Sequence, residues 1–407
     1  MSAGFLWHPE ARATDAAGQE AATAAPGAGG PLMLPDRPPL VALATALGHR
    51  CFRIGAETAP SPESGPVPVF ETLSGGTSGP PRRVRRRQAS WTASFAVNAR
   101  LFGIGPGTAG AVLGRLVHSL ALYGAIELLH LGAHLHLLDG LRPDRQRLAL
   151  AERRVALLYA TPAQLRLICE ARGPVLLELR HILVGGSKLD TGLRAALADL
   201  APARITEFYG AAEASFITLA DETTPADSVG RPYPGVELET GAQGLRIRSP
   251  YLAEGYAGPP GGAVWRDGWL HLDEIGRMEA GCLTLRGRAS RMVKIADQAA
   301  FPEEIEAALL AMPGITRAAV LPRPDPKRGQ VLEAAVMGDP AREDAILAAL
   351  RVAFGPLKAP RRLHWQADWP ALPSGKTDLA AIEARLGQGP VSSEQPANPS
   401  GRIGPDD

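Results

Sequence analysis

The residues with the clearest chemistry stand in Ser74-Gly75-Gly76-Thr77-Ser78-Gly79-Pro80-Pro81-Arg82-Arg83-Val84, three glycines and three hydroxyl side chains followed at once by cations. Glycines let successive backbone N–H groups turn toward one point, hydroxyls add donors, and guanidinium groups supply fixed positive charge, which together make a phosphate cradle. No Gly-Lys-Ser or Gly-Lys-Thr closes the loop, so the spacing is not the Walker pattern. Read alone, the stretch is equally a Ser/Gly/Pro linker running into a solvated basic patch. Further along stand His118 in an apolar run, the dipeptide Gly185-Gly186, the run Tyr209-Gly210-Ala211-Ala212-Glu213, and Lys376 in the turn Pro373-Ser374-Gly375-Lys376. Each has an ordinary reading by itself, as a core histidine, a tight turn or an exposed turn lysine.

The elements around them give these residues a setting. Val69-Phe70-Glu71-Thr72-Leu73 reads as a strand delivering the chain to the cradle, as a phosphate site requires. Helical patterns follow over Gln88 to Phe102 and over Ala109 to Leu122, the second carrying His118. Short apolar strands and helices then alternate from Ala133 to Phe208, a β/α rhythm that implies a largely parallel sheet covered on both faces. Ligands sit at the carboxyl ends of such strands, where Gly185-Gly186 and Tyr209-Gly210 fall. Beyond Gly230 the texture changes to short strands with turns. A second module starts near Gly287 with a helix from Pro302, strands near Ala318 to Leu321 and Val331 to Met337, and a helix from Glu343. The expected fold is α/β: a large N-terminal domain of mainly parallel β/α layers plus a small antiparallel unit, and a small α+β C-terminal domain. Its parts are a weakly ordered leader over 1–36, the large domain over 37–286, the small domain over 287–386 and a disordered tail over 387–407.

Composition narrows the function classes. A chain of 407 residues, 45% hydrophobic and with net charge +1, can build two cores without a strong global field. Near-neutrality argues against a protein that coats nucleic acid or an anionic membrane, and no aromatic residues interleave Arg82 to Arg87. Cys51, Cys169 and Cys282 stand far apart, which fits a reducing cytoplasm and offers no metal site. No basic stretch followed by an unbroken apolar one opens the sequence, so no secretory signal is visible. The greasiest region, Leu113 to Leu138, contains Arg115, Glu127 and four histidines and reads as buried helix and strand, not a membrane span.

Taken in order, these motifs resemble the adenylate-forming superfamily, which includes AMP-forming acyl-CoA and aryl-CoA ligases, adenylation domains of peptide synthetases, and luciferases. Ser74 to Arg83 aligns without a gap with the family's Thr-Ser-Gly-Thr-Thr-Gly-x-Pro-Lys-Gly, with Arg82 at the lysine. His118 resembles the position bordering the acyl pocket, Gly185-Gly186-Ser187 the turn that lets adenine approach the backbone, and Tyr209 to Glu213 the family's Tyr-Gly-x-Thr-Glu. The resemblance implies that Tyr209 stacks on adenine and Glu213 binds magnesium on the ATP phosphates, while Ala212 lacks the family's hydroxyl. In Leu272-Asp273-Glu274, Glu274 falls at the carboxylate that holds the ribose, with Asp273 as fallback, and Arg288 at the second ribose contact. Ser290 falls at the hinge position, Asp297 at a glycine bordering the pantetheine tunnel, and Lys376 at the lysine that the small domain inserts into the adenylating site. Glu303, Glu304 and Glu306 read as charge complementing a helix dipole.

The implied activity is ATP- and Mg2+-dependent activation of a carboxylic acid, a fatty acid on the apolar surroundings of His118, followed by thioester formation with coenzyme A. The implied catalytic set is Lys376, Glu213 and His118, with Ser74, Gly75, Gly76, Thr77, Ser78, Gly79, Arg82, Gly185, Gly186, Tyr209, Gly210, Glu274 and Arg288 holding the nucleotide. The departures at Arg82, Ala212, Glu274 and Asp297 keep two alternatives open: transfer to an acyl carrier protein, and a nucleotide-binding relative without turnover that serves as a partner or sensor.

Overall fold

The computed structural model describes residues 4–22, 29–74, 82–241, 243–372 and 377–387. Among these, a nine-stranded sheet runs in the order Arg231–Pro232, Ser215–Ala220, Arg204–Ala211, His181–Val184, Leu157–Ala160, Ala109–Val112, His134–Leu137, Arg12–Thr14, Glu20–Ala21. Its middle, from Arg204–Ala211 to Arg12–Thr14, is parallel throughout. A five-stranded sheet carries Gly255–Tyr256, Arg82–Arg87, Val69–Ser74, Cys51–Ile54 and Leu32–Leu34.

Two helices, Gln88–Phe102 and Ser119–His130, form a layer between these sheets. Their Trp91, Phe95, Tyr123 and Ile126 share one core with Phe52 and Phe70 of the smaller sheet and with Leu135, Tyr159 and Leu183 of the larger. Close approach explains two glycines. A Cβ on Gly110 would lie 2.5 Å from a Leu128 methyl, and one on Gly124 would lie 2.6 Å from the Tyr159 ring. The outer face of the large sheet is covered by helices Pro143–Glu152, Pro162–Glu170 and Thr191–Leu200, which bury Leu150, Leu165, Leu193 and Leu197. Thr161 and Gln164 form a reciprocal capping box at the second of these, and Asp190 caps the third.

Beyond residue 230, an antiparallel four-stranded sheet is built from Glu237–Gly241, Gly244–Arg248, Trp269–Leu272 and Val264–Arg266, followed by the hairpin Glu274–Glu279/Cys282–Arg288. Strands Ile315–Asp325, Gly329–Gly338 and Leu363–Trp365 then form a small sheet packed with helices Pro302–Leu310 and Glu343–Lys358 around Ile305, Leu309, Leu332 and Leu350. This is the expected α/β class, with mainly parallel layers first and a small α+β unit last. No helix among the described residues is long and apolar enough to cross a membrane.

Two expectations fail. Ala109 to Leu122 is not one helix: Ala109–Val112 is a central parallel strand, and the helix begins only at Ser119, with His118 extended at its N-cap. Small residues let that strand lie under Leu128, and their low bulk hid its β character from the pattern. Nor is 1–36 a weakly ordered leader where it is described. Phe5 is 1% exposed, Arg12–Thr14 pairs with His134–Leu137, and Leu32–Leu34 pairs with Cys51–Ile54. Strands this short give no periodicity. Their order comes from partners far along the chain.

Candidate active site

The strand Val69–Ser74 pairs antiparallel with Arg82–Arg87, so Ser74 and Arg82 face each other where the glycine-rich stretch begins and ends. Gly75, Gly76, Thr77, Ser78 and Gly79 lie outside the described residues, as does Lys376. The hairpin rests on a buried ion pair. Glu71, 2% exposed, accepts from the fully buried Arg53 at 2.7 Å. Arg53 also donates to the carbonyls of Gly55, Ala56 and Pro60, and Arg83 joins Glu71 at 3.4 Å, so the preceding loop is drawn against the hairpin. A buried carboxylate is tolerated here because two cations satisfy it.

The five arginines between 82 and 87 are not one solvated patch. Strand alternation turns Val84 and Arg86 inward and puts Arg83, Arg85 and Arg87 on the opposite face, while Arg82 is exposed at the strand's start. Arg86 is wholly buried and donates to the carbonyls of Ala212 and Tyr251 and to Ser215 Oγ at 2.7 Å. Burial pushes its guanidinium down to about 9, against the nearby Glu213 charge.

Those contacts lead to the Tyr209–Glu213 run. Strand Arg204–Ala211 turns back through Ala212, Glu213 and Ala214 into Ser215–Ala220. Glu213 accepts a hydrogen bond from Tyr256 Oη at 2.7 Å, and Tyr256 pairs in register with Val84. Tyr209 is packed against the core of the antiparallel unit, and its hydroxyl is buried without a partner among the described residues. Burial, and after it the charge of Glu274, raise that phenol well above its ordinary range. Glu274 and Arg288 face each other in register and form an ion pair at 3.4 Å. Burial raises the Glu274 carboxyl while Arg288 opposes the rise. Glu213, Tyr209, Glu274 and Arg288 thus form one polar group beside the strand that leaves the glycine-rich stretch. Asp273 accepts from Ser290 Oγ at 2.5 Å, and its charge also acts on Tyr209 and Glu274.

The remaining candidates have surroundings of their own. His118 is half-buried, with Arg115 near, and burial lowers its imidazole below the usual histidine range. Gly185 lies under Phe208, whose ring would be 2.1 Å from an added Cβ, and Gly186 takes φ +100°. Glu207 accepts from the Leu189 amide at 2.8 Å and pins the chain that follows Gly185-Gly186. Gly210 approaches the Ser215 carbonyl too closely for any side chain. Asp297 is exposed at the tip of the hairpin Val293–Ile295/Gln298–Ala300. Glu303 and Glu306 pair with Arg291, and Glu304 with Arg286, so they serve as ion-pair partners of the segment before their helix. Both flanks of Lys376 are anchored: Ala371 bridges to Thr377, whose hydroxyl accepts from Trp369 Nε1 at 3.1 Å. Sequence reasoning missed Tyr256 and Arg86. Period-two alternation through the arginines was the available signal for the second.

Comparison with known proteins bears on this arrangement. Residues 14–256 match the model of the AMP-binding enzyme family, and residues 304–376 match that of the AMP-binding enzyme C-terminal domain. An uncharacterized acyl-CoA ligase of Bacillus subtilis is 28% identical over 339 residues, covering 78% of this chain and 69% of its own. A probable 2-succinylbenzoate-CoA ligase of Mycobacterium tuberculosis is 30% identical over 336 residues, 79% of this chain and 85% of its own. Among solved structures, an O-succinylbenzoate coenzyme A synthetase from Bacillus subtilis in complex with ATP and magnesium superposes with TM-score 0.68 at 19% identity, over 77% of this chain and 69% of that one.

Proposed function

From the premise that the chain belongs to the AMP-binding enzyme family, we propose that it joins a carboxylic acid to coenzyme A by way of an acyl-adenylate. The observation that carries this reading is the convergence of Glu213, Tyr209, Glu274 and Arg288 beside the strand that leaves the glycine-rich stretch.

Attack of a carboxylate on the α-phosphorus of ATP brings two anions together, so the site must neutralise charge and hold the groups in line. Ser74, the amides of 75–79 and Arg82 hold the departing pyrophosphate. Tyr209 stacks on adenine beside Gly185 and Gly186, and Glu274 takes the ribose hydroxyls with Arg288 behind it. No group of three or more His, Cys, Asp or Glu side chains that would cage a metal exists among the described residues. The hard carboxylate of Glu213 would hold magnesium, an ion that takes oxygen ligands and needs few from protein. When bound, the ion withdraws charge from the pyrophosphate. Lys376, carried by the small domain over 287–386, neutralises the incoming carboxylate and the α-phosphate. Rotation about Ser290 then removes it and admits coenzyme A.

The acid is a fatty acid on this reading, which rests on the apolar residues Leu120, Leu122, Tyr123 and Ile126 that follow His118 along its helix and on Phe208 packed over Gly185. Asp297 is exposed at its hairpin tip, and coenzyme A is the acceptor on this reading because the similar proteins include acyl-CoA ligases. The test is exchange of labelled pyrophosphate into ATP over a panel of aliphatic and aryl acids, followed by mass spectrometry of products formed with coenzyme A. Exchange with aliphatic acids and a matching acyl-CoA are expected. Absence of both exchange and ATP binding refutes the reading.

A further inference from the structure

The glycine-rich hairpin and the Glu213 turn belong to different sheets, tied at the backbone only through one intervening segment: Ala253 N donates to the Glu213 carbonyl at 2.8 Å and Glu254 N to the Arg85 carbonyl at 2.9 Å. Arg86 spans them. It sits in register with Phe70 on the strand leaving the hairpin, and its guanidinium crosses to the carbonyl of Ala212, to Ser215 Oγ at 2.7 Å and to the carbonyl of Tyr251. Trp91, from the helix that continues this strand, donates to the same Ser215 Oγ at 3.1 Å, with the Arg86 guanidinium 5.8 Å above its ring. These acceptors bracket Glu213 on both sides in sequence, and Ser215 is held at φ +61°, a left-handed conformation unfavourable for serine. The second brace is Tyr256, which pairs with Val84 through its backbone and donates its hydroxyl to the Glu213 carboxylate.

The geometry points to Arg86 as a positioning residue for the magnesium–nucleotide site: it fixes the turn that presents Glu213 at a set distance from the phosphate-holding strand. This inference rests on the reading of Glu213 given above. Three acceptors on two separate stretches of chain, the 212–215 turn and Tyr251, require a planar, forked donor, which a lysine at the same place cannot reproduce. Arg86 never touches substrate on this account. It acts through Ala212 and Ser215.

The test is the rise in melting temperature of the full chain on titration with ATP, with magnesium and with EDTA, for wild type, Arg86→Lys and Ser215→Ala. The midpoint for magnesium–ATP is expected to weaken by about tenfold or more in Arg86→Lys and by about threefold in Ser215→Ala, with little change in the weak binding seen in EDTA. A melting temperature that falls without nucleotide while the magnesium–ATP midpoint stays unchanged would show a purely structural role and overturn the inference. If Arg86→Lys does not fold, Ser215→Ala carries the same comparison, and an unchanged midpoint there refutes the coupling. A wild type showing no response to magnesium–ATP removes the functional reading itself, whereas a wild-type response unaltered in both variants removes only the role of Arg86.

Discussion

Glu127 offers a test of the buried architecture that needs no substrate. It is fully buried in helix Ser119–His130 and accepts from Asn98 at 2.8 Å, from Tyr123 at 3.2 Å and from Tyr159. Burial pushes its carboxyl up to about 7 from an ordinary 4.5, the three donors opposing the rise. Because the folded value lies above the unfolded one, the native state holds the proton more tightly. Its contribution to stability is therefore full below pH 4.5 and is lost as pH rises toward 7. The rise from 4.5 to about 7 corresponds to about 3 kcal/mol in all, of which about 2.5 kcal/mol falls between pH 5 and 8. Glu127→Gln removes the titration while keeping the shape. Urea unfolding of both proteins at pH 5, 6, 7 and 8 measures the difference between them, in which other titrating groups cancel. His136, pushed down to about 4 by burial, acts in the opposite sense in both and drops out. The expected result is a variant that gains on wild type by about 2.5 kcal/mol from pH 5 to 8. A difference constant to within about 0.5 kcal/mol refutes the reasoning.

Other consequences are testable alongside it. Arg53→Ala leaves Glu71 buried without its main partner and is expected to cost about 3–5 kcal/mol of stability, a loss that Arg53→Met/Glu71→Leu recovers in large part in the same unfolding assay. Gly185→Ala drives a methyl into the Phe208 ring, so soluble yield and melting temperature should fall, and adding Phe208→Leu should restore both. Tyr256→Phe removes one hydrogen bond to Glu213 and is expected to lower pyrophosphate exchange at subsaturating magnesium by about fivefold, with recovery at high magnesium. Ser290→Ala breaks the link to Asp273, and limited proteolysis between 287 and 302 should accelerate relative to wild type.

The parts of the fold legible in the sequence are those whose ends are written locally. Helix Pro162–Glu170 announces itself by Thr161 and Gln164, helix Thr191–Leu200 by Asp190, and helix Gln88–Phe102 by the left-handed Gly103 after it. Strand Ala109–Val112 and the early strands were not legible because their residues are small and their partners distant. At the site, the ordered motifs single out Tyr209, Glu213, Glu274 and Arg288, and in the fold the charges of Glu274, Arg288 and Glu213 all act on Tyr209. That Glu274 and Arg288 pair directly with each other follows from a hairpin register with a bulge at Ile275, which motif spacing alone does not convey. Arg86 was hidden for a different reason: five arginines have one hydropathy, and only the strand's pleat separates the inward one from its neighbours.

The placement of Arg12–Thr14 against His134–Leu137 also dictates an order of events during synthesis. The strand is made long before this partner; Glu20–Ala21 pairs with one of its edges at once, but the other edge must wait while more than a hundred further residues are translated. Closing so long a loop is slow, and until it closes His134–Leu137 is an open, pairing-competent margin of a hydrophobic sheet. The small side chain of Ala13, wholly enclosed in the finished molecule, is thus among the last to be enclosed. A helper that shields that margin, or a slower passage of the chain through residues 134–137, would influence how much of the protein reaches its native state without altering that state at all.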